Sequence, residues 1–111
     1  MRSTALTGVV FALLLSAGME LSAQTGYPSR AVSFIVPFSP GTGIDILART
    51  LGERLSARWG HPVVVENKPG ASGNIGAEAA MKAAPDGHAL LVTATSFATN
   101  AALAKRLPYD P

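Results

Sequence analysis

Glycine, proline and hydroxyl side chains crowd residues 37–45, which read P-F-S-P-G-T-G-I-D. An apolar run precedes this stretch and a leucine-rich helical pattern follows it. A strand, a glycine-rich turn and a helix N-terminus together form a common anion-binding device. The first N–H groups of the helix have no internal partners, and the helix dipole is positive at that end. This pattern predicts reversible binding of an anion, and we expect the carboxylate of a small organic acid.

Two later stretches have a similar composition: residues 67–73 read N-K-P-G-A-S-G and residues 94–99 read A-T-S-F-A-T. The glycines at 70, 73 and 76 resemble a dinucleotide fingerprint, but no acidic residue about 20 positions on ends a strand to hold a ribose. No Lys follows the glycines of residues 39–43 as a phosphate-binding P-loop requires. An alternative stays open, in which these loops only connect elements and the hydroxyls of Thr95, Ser96 and Thr99 cap a helix.

No catalytic set is visible in the sequence. Asp45 has no His partner in a plausible relay, and Ser39 is followed by Pro and lacks a nucleophile elbow. The absence of Cys excludes a disulfide scaffold, a thiolate metal site and a Cys nucleophile. His61 and His88 fall in different predicted elements, so we expect neither a metal nor a cofactor. Glycines and hydroxyls suit binding better than chemistry, and we expect a protein that is not an enzyme.

The elements that must position these loops follow from periodicity and breakers. Nearly continuous apolar runs predict strands at residues 31–36, 62–66 and 88–93, and helical spacing predicts helices at 46–59, 74–84 and, as a short turn, around 100–105. Leu47, Leu51 and Leu55 form the expected buried stripe of the first helix. Asp45 and Asn74 are the expected N-terminal caps.

A β-α-β-α-β-α order with short connections predicts an α/β fold with parallel strands, right-handed crossovers and helices on both faces of the sheet. Ligands of such sheets bind beyond the carboxyl ends of the strands. We therefore expect the loops at residues 37–44, 68–73 and 94–99 to lie along one rim.

Residues 1–23 have the organisation of a secretory signal, with Arg2 before an apolar run and Ala23 before a plausible cleavage site. The apolar run at residues 5–17 is shorter than the roughly 20 residues that cross a bilayer, which disfavours a membrane anchor. We expect an exported mature chain whose residues 24–30 form an extended arm. The formal net charge of +2 comes from scattered basic residues, so nucleic acid is not an expected partner.

Five motifs occur in order: Y-P-S-R, I-V-P-F-S-P-G-T-G-I-D, V-V-V-E-N-K-P-G-A-S-G-N-I-G-A-E, A-A-P-D-G-H and K-R-L-P-Y-D-P. Together they closely resemble the Bug family, the extracytoplasmic solute receptors of tripartite tricarboxylate transporters. The resemblance covers essentially all of residues 27–111.

The resemblance implies a periplasmic receptor with two α/β domains of the type II periplasmic-binding-protein-like fold, whose cleft closes on a carboxylate and delivers it to a membrane permease. In the family, the ligand carboxylate is held by the loops after the first strand and a later strand, partly through ordered waters. The ligand-binding residues that it implies in this sequence are Ser39, Pro40, Gly41, Thr42, Gly43, Asp45, Thr95, Ser96, Phe97, Thr99 and Asn100, with Ala71, Ser72, Gly73 and Asn74 bordering the cleft.

Two positions depart from the usual family pattern, because Thr42 replaces the second Gly of Pro-Gly-Gly and Phe97 stands where a His is frequent. Family members are about three times as long as the mature chain. We therefore expect residues 24–111 to be a truncated, N-terminal portion of domain 1, with weak or absent ligand affinity by itself. Two alternatives remain: an exported α/β enzyme acting on a carboxylated or phosphorylated molecule, and a non-functional remnant.

Overall fold

The computed structural model describes residues 26–111, and the predicted signal at residues 1–23 lies outside them. The elements are β1 (Val32–Val36), α1 (Gly43–Trp59), β2 (Val63–Asn67), a short turn (Ala71–Gly73), α2 (Asn74–Met81), β3 (Ala89–Leu91) and α3 (Ser96–Leu103). This succession confirms the predicted α/β order. No helix within residues 26–111 is both long and apolar enough to span a bilayer.

The sheet has three parallel strands in the order β2-β1-β3, so β1 is central. Phe34 of β1 pairs with Val65 on one side and with Leu90 on the other. Val32 and Val36 are fully buried beside it, as expected for an apolar strand covered on both faces. Because the strands are parallel, their carboxyl ends meet at the same edge of the sheet, which we call the rim.

The first helix packs through small residues and through only part of the predicted leucine stripe, since Leu55 packs against the core beside Ala48. Ala48 and Gly52 are buried against the sheet, whereas Leu47 and Leu51 are 56% and 43% exposed. A Cβ at position 52 would lie 3.2 Å from Val63 Cγ1, so glycine allows a close approach to β2. The stripe prediction was right for Leu55 and wrong for Leu47 and Leu51, because leucine spacing alone does not tell which helix face the sheet covers.

The start of α1 also differs from the prediction. The helix begins at Gly43, three residues earlier than expected, and its N-cap is Thr42 rather than Asp45. Gly60 ends it as predicted, in the left-handed conformation with φ 70° and with its N–H bonded to Ser56 O at 3.0 Å.

The second helix covers the opposite face of the sheet. It packs against β1 and β3, and the buried Ile35 points away from Phe34 because side chains alternate along a strand. Gly76 lies where a Cβ would come 2.6 Å from Pro37 Cβ and 3.0 Å from Lys68 O. A side chain would therefore separate α2 from the chain segments that leave β1 and β2.

Several boundaries moved relative to the sequence prediction. β3 is three residues long instead of six, and α2 ends at Met81 instead of residue 84. The helix expected around residues 100–105 begins at Ser96, so most of the predicted third loop is the first turn of α3. Ser96, Ala98 and Thr99 are small residues, and such residues occur both in loops and in the first turn of a helix.

The segment before β1, predicted to be an extended arm, is docked onto the turn before β3. Three hydrogen bonds join the two segments: Tyr27 Oη to Gly87 O, Ser29 N to His88 Nε2 and Arg30 Nη2 to Asp86 Oδ2. The Tyr27 ring also packs edge-on against Trp59 and His88. The Y-P-S-R and P-D-G-H motifs are thus structural partners at the end of the sheet opposite the rim.

Candidate functional site

The segments that follow the three strands meet at the rim, as predicted. They enclose an open cleft of about 360 Å³. Its lining comes from all three segments: Pro37, Phe38, Ser39 and Thr42, then Pro69, Gly70, Ser72 and Gly73, and finally Ser96. Parallel pairing produces this arrangement, because it brings the carboxyl ends of strands that are far apart in sequence to one edge.

The first segment supplies hydroxyl groups and the start of α1. Thr42 Oγ1 donates to Ser39 O at 3.0 Å and accepts a long hydrogen bond of 3.4 Å from Asp45 N. The N–H groups of Gly43 and Ile44, in the first turn of the helix, have no acceptor within the described residues. This helix end therefore offers hydrogen-bond donors, and its dipole favours an anion.

Asp45 lies beneath this segment and is 2% exposed. Its Oδ2 accepts from Gly41 N at 2.8 Å and Arg49 Nε at 3.1 Å, and its Oδ1 accepts from Asn67 Nδ2 at 2.8 Å. The Arg49 hydrogen bond, followed by those from Gly41 and Asn67, lowers the pKa of Asp45 from 3.8 to about 2. Its carboxylate ties the first loop and α1 to the end of β2.

Arg49 also reaches the end of β2. Its guanidinium bonds to Asp45 through Nε and to Asn67 Oδ1 through Nη2 at 3.0 Å. Asn67 Nδ2 also donates to Phe38 O at 3.1 Å. Asn67, the last residue of β2, therefore links both sides of the cleft base.

The second segment holds its backbone in an unusual conformation. Positive φ angles occur at four successive residues, with values of 127°, 49°, 56° and 93° from Gly70 to Gly73. Ala71 and Ser72 are not glycines, and the left-handed region costs such residues about 1–2 kcal/mol each. Gly73 N donates to Gly70 O at 3.0 Å inside the turn, and further support comes from α3.

The contacts that support the turn lie in a crevice next to the cleft. The crevice is lined by Ser72, Gly73, Asn74, Thr93, Ser96, Phe97, Asn100 and Tyr109. Asn100 Nδ2 donates to Ser72 O at 2.7 Å. Asn74 is not the N-cap of α2, which is Gly73; its Oδ1 instead accepts from Asn100 Nδ2 at 3.4 Å and from Tyr109 Oη at 3.0 Å.

The predicted site residues fall into three groups. Those lining the cleft are Ser39, Thr42, Ser72, Gly73 and Ser96. Those lining the adjacent crevice include Asn74, Phe97 and Asn100. Pro40, Gly41, Gly43, Asp45, Ala71, Thr95 and Thr99 belong to the same segments but line neither space.

Sequence reasoning missed Pro37, Phe38 and Pro69, which give the cleft an apolar part, and Tyr109 in the crevice. Tyr109 was visible in the L-P-Y-D-P motif, but nothing in its local sequence indicated a partner 35 residues earlier.

Residues 26–111 give the cleft an uncharged lining. No Asp, Glu, Lys, Arg or His of this part of the chain is among the lining residues. An anion there would meet N–H groups, hydroxyls and helix termini instead of an ion pair. A larger groove of about 520 Å³ lies along the body of α1 and β2, lined by Arg49, Gly52, Glu53 and neighbours, and does not reach the three rim segments.

The comparisons of this chain with known proteins all indicate the same family. The sequence profile of the tripartite tricarboxylate transporter family receptor, TctC, matches residues 47–111. BugT of Bordetella pertussis is 41% identical over 98% of this chain, which covers 34% of BugT. The chain therefore spans about a third of the length of this curated relative.

Solved structures agree with this family. A structure described as a periplasmic transporter is 49% identical with a TM-score of 0.71, over 78% of this chain and 29% of that one. A protein of R. palustris solved with adipate is 39% identical with a TM-score of 0.58, over 60% of this chain and 22% of that one. MatC from Rhodopseudomonas palustris, solved with bound malate, is 38% identical with a TM-score of 0.56, over 59% and 22%. The chain belongs to the TctC family of tripartite tricarboxylate transporter receptors.

Proposed function

We propose that this chain is the N-terminal part of a periplasmic receptor that captures a small carboxylate for a tripartite tricarboxylate-type transporter. Residues 1–23 would direct export, residues 24–111 would form part of the first binding domain, and membrane permease subunits would receive the ligand. The observation that carries the proposal is the uncharged cleft in which three strand-end segments meet. Adipate and malate, found with two relatives, are both dicarboxylates.

The chemistry of the lining supports carboxylate binding. Carboxylate oxygens accept hydrogen bonds, and the cleft lining includes the hydroxyls of Ser39, Thr42 and Ser96. The free N–H groups of Gly43 and Ile44 directly follow Thr42 at the start of α1. Phe38 and the prolines offer a surface for the methylene part of a dicarboxylate. No side chain in the lining is suited to act as a general base, which favours binding over catalysis.

A nuclear magnetic resonance titration tests the proposal and tolerates weak affinity. Adipate and malate, added to the ¹⁵N-labelled chain, are expected to shift the backbone amide signals of Gly43, Ile44, Ser72, Gly73 and Ser96. The neutral diamide of adipic acid is the control and is expected to leave these signals in place, since it lacks the anionic acceptor. Equal shifts with the diamide, or shifts only along the groove beside Glu53, would contradict the proposal.

A chimaera tests the contribution of the rest of the receptor. Residues 26–111 would replace the aligned segment of MatC, and malate binding would be measured by calorimetry. We expect binding by the chimaera to be much tighter than by the 111-residue chain, because the second wall of the cleft is then present. A micromolar dissociation constant for the chain alone would show that the rest is not needed.

A further inference from the structure

The left-handed turn at residues 70–73 forms one wall of the carboxylate cleft and depends on support from outside its own sequence. Ser72 O accepts from Asn100 Nδ2 at 2.7 Å. Ser72, Gly73 and Ser96 line the cleft on one side and the crevice on the other. Because these three residues separate the two spaces, a change in side-chain packing in the crevice also alters the wall of the cleft.

Two amide side chains transmit this support. Asn74 Oδ1 accepts from Asn100 Nδ2 at 3.4 Å and from Tyr109 Oη at 3.0 Å. A hydroxyl donor at that distance keeps the oxygen of Asn74 on the side of Asn100, and the oxygen in turn keeps the NH₂ group of Asn100 directed at Ser72. The three side chains are half-buried, and the two hydrogen bonds to Asn74 Oδ1 are partly shielded from water, whereas the bond from Asn100 to Ser72 O is exposed.

The ring of Tyr109 is itself fixed. It stacks on Phe97 with the centroids 5.7 Å apart and the planes 9° from parallel. Offset stacking at this distance is favourable and holds the hydroxyl in one place. Phe97 therefore faces the crevice and Tyr109, and it does not line the cleft.

We propose that Tyr109 is a positioning residue for the carboxylate site: its hydroxyl orients Asn74 and Asn100, and these hold the left-handed Ser72 turn in its binding shape. This inference rests on the proposed function. It assigns a role in recognition to the motif L-P-Y-D-P, whose Tyr109 lines the crevice and not the cleft.

The variant Tyr109→Phe tests the role because it keeps the stacked ring and removes only the hydroxyl. In the unliganded full chain, we expect the side-chain NH₂ signals of Asn100 and the amide signal of Gly73 to shift. In the adipate titration, we expect the dissociation constant to rise about three- to tenfold, the range for loss of one supporting hydrogen bond.

The matched control is Tyr27→Phe, which removes a tyrosine hydroxyl bonded to Gly87 O at the opposite end of the sheet. Both variants are expected to lower the melting temperature by similar amounts, but Tyr27→Phe is expected to leave the dissociation constant unchanged. A merely structural tyrosine would change stability alone. The double variant Tyr109→Phe/Asn100→Ser is expected to bind no more weakly than Asn100→Ser, because Tyr109 acts through Asn100.

The outcomes separate the two proposals. If the wild type responds to adipate at the cleft and Tyr109→Phe binds equally well with unchanged Asn100 signals, the positioning role is wrong and the receptor function stands. If neither the wild-type chain nor the MatC chimaera binds a dicarboxylate, the receptor function fails and the positioning role fails with it. Equal weakening by Tyr27→Phe would overturn the positioning role by showing a general loosening of the fold.

Discussion

At the scale of single residues, Asp45 shows how a side chain can serve a binding site without facing the ligand. Its carboxylate receives hydrogen bonds from the first loop, α1 and the end of β2, through Gly41, Arg49 and Asn67. The pairing with Arg49 balances the negative charge, so an anion at the helix N-terminus is not opposed by an unpaired carboxylate. Because the contacts stabilise the ionised form, they link folding to pH.

This linkage predicts a specific loss of stability in acid. The pKa of Asp45 is about 2 in the folded chain against an ordinary 3.8, so its contribution is complete above pH 3.8 and is lost as the pH falls toward 2. Urea unfolding between pH 6 and pH 2 should show a steeper decline for the wild type than for Asp45→Asn, which should already be less stable at pH 6.

The control for this experiment is Asp110→Asn, which removes an exposed carboxyl near the end of the chain. Its pH profile should run parallel to that of the wild type. Asp86, whose pKa is also lowered by a hydrogen bond from the His88 amide and by Arg30, contributes equally to all three proteins. Parallel profiles for the wild type and Asp45→Asn would contradict the assigned role.

At the scale of elements, glycines set how closely the helices approach the sheet. Gly52 lets α1 lie against Val63, and Gly76 lets the start of α2 lie against Pro37 and Lys68 O. The second contact is the more demanding, because backbone atoms as well as a side chain occupy the space that a Cβ would need. Gly76 thereby fixes the distance between the first and second cleft segments.

We predict that Gly76→Ala destabilises the chain by about 1–3 kcal/mol, as overpacking typically does, despite the better helix propensity of Ala. Gly43→Ala is the matched control, because it is also in the first turn of a helix and its Cβ would meet nothing within 4 Å. It should be neutral or stabilising by up to about 1 kcal/mol. Chemical unfolding of both variants measures the difference, and equal stability would refute the packing role of Gly76.

At the scale of the whole molecule, the sheet gathers three segments into a cleft that no charged side chain of the described residues 26–111 lines. Binding there would rely on N–H groups, hydroxyls and helix dipoles, which act at short range. Screening by salt is strong only for charges separated by more than the Debye length, about 10 Å at 0.1 M. Affinity should therefore respond little to ionic strength.

Raising the NaCl concentration from about 50 mM to about 500 mM should change the malate dissociation constant of the MatC chimaera by less than about twofold. Introducing a cation with Ser39→Lys should tighten binding at low salt and make it clearly salt-dependent. Calorimetry at both concentrations provides the comparison. A large loss of affinity with salt for the unmodified cleft would mean that charges outside its lining hold the ligand.

Sequence alone determined the order of the elements, the parallel sheet and the rim on which the three segments lie. These features follow from local signals: apolar runs, helical spacing, and Gly and Pro at the ends of elements. The signals were less exact at boundaries, where α3 began four residues early and α1 three, because a small polar residue suits both a loop and a first helical turn.

Only the tertiary structure decided what the site residues do. Asp45 meets Asn67 across 22 positions, and Tyr109 meets Asn74 across 35. It also decided that Leu47 and Leu51 stay exposed while Ala48 and Gly52 are buried. The physical reason is the same in each case: the partner of a side chain is set by how the strands pair and how closely the helices pack, and neither is encoded in the residues next to it.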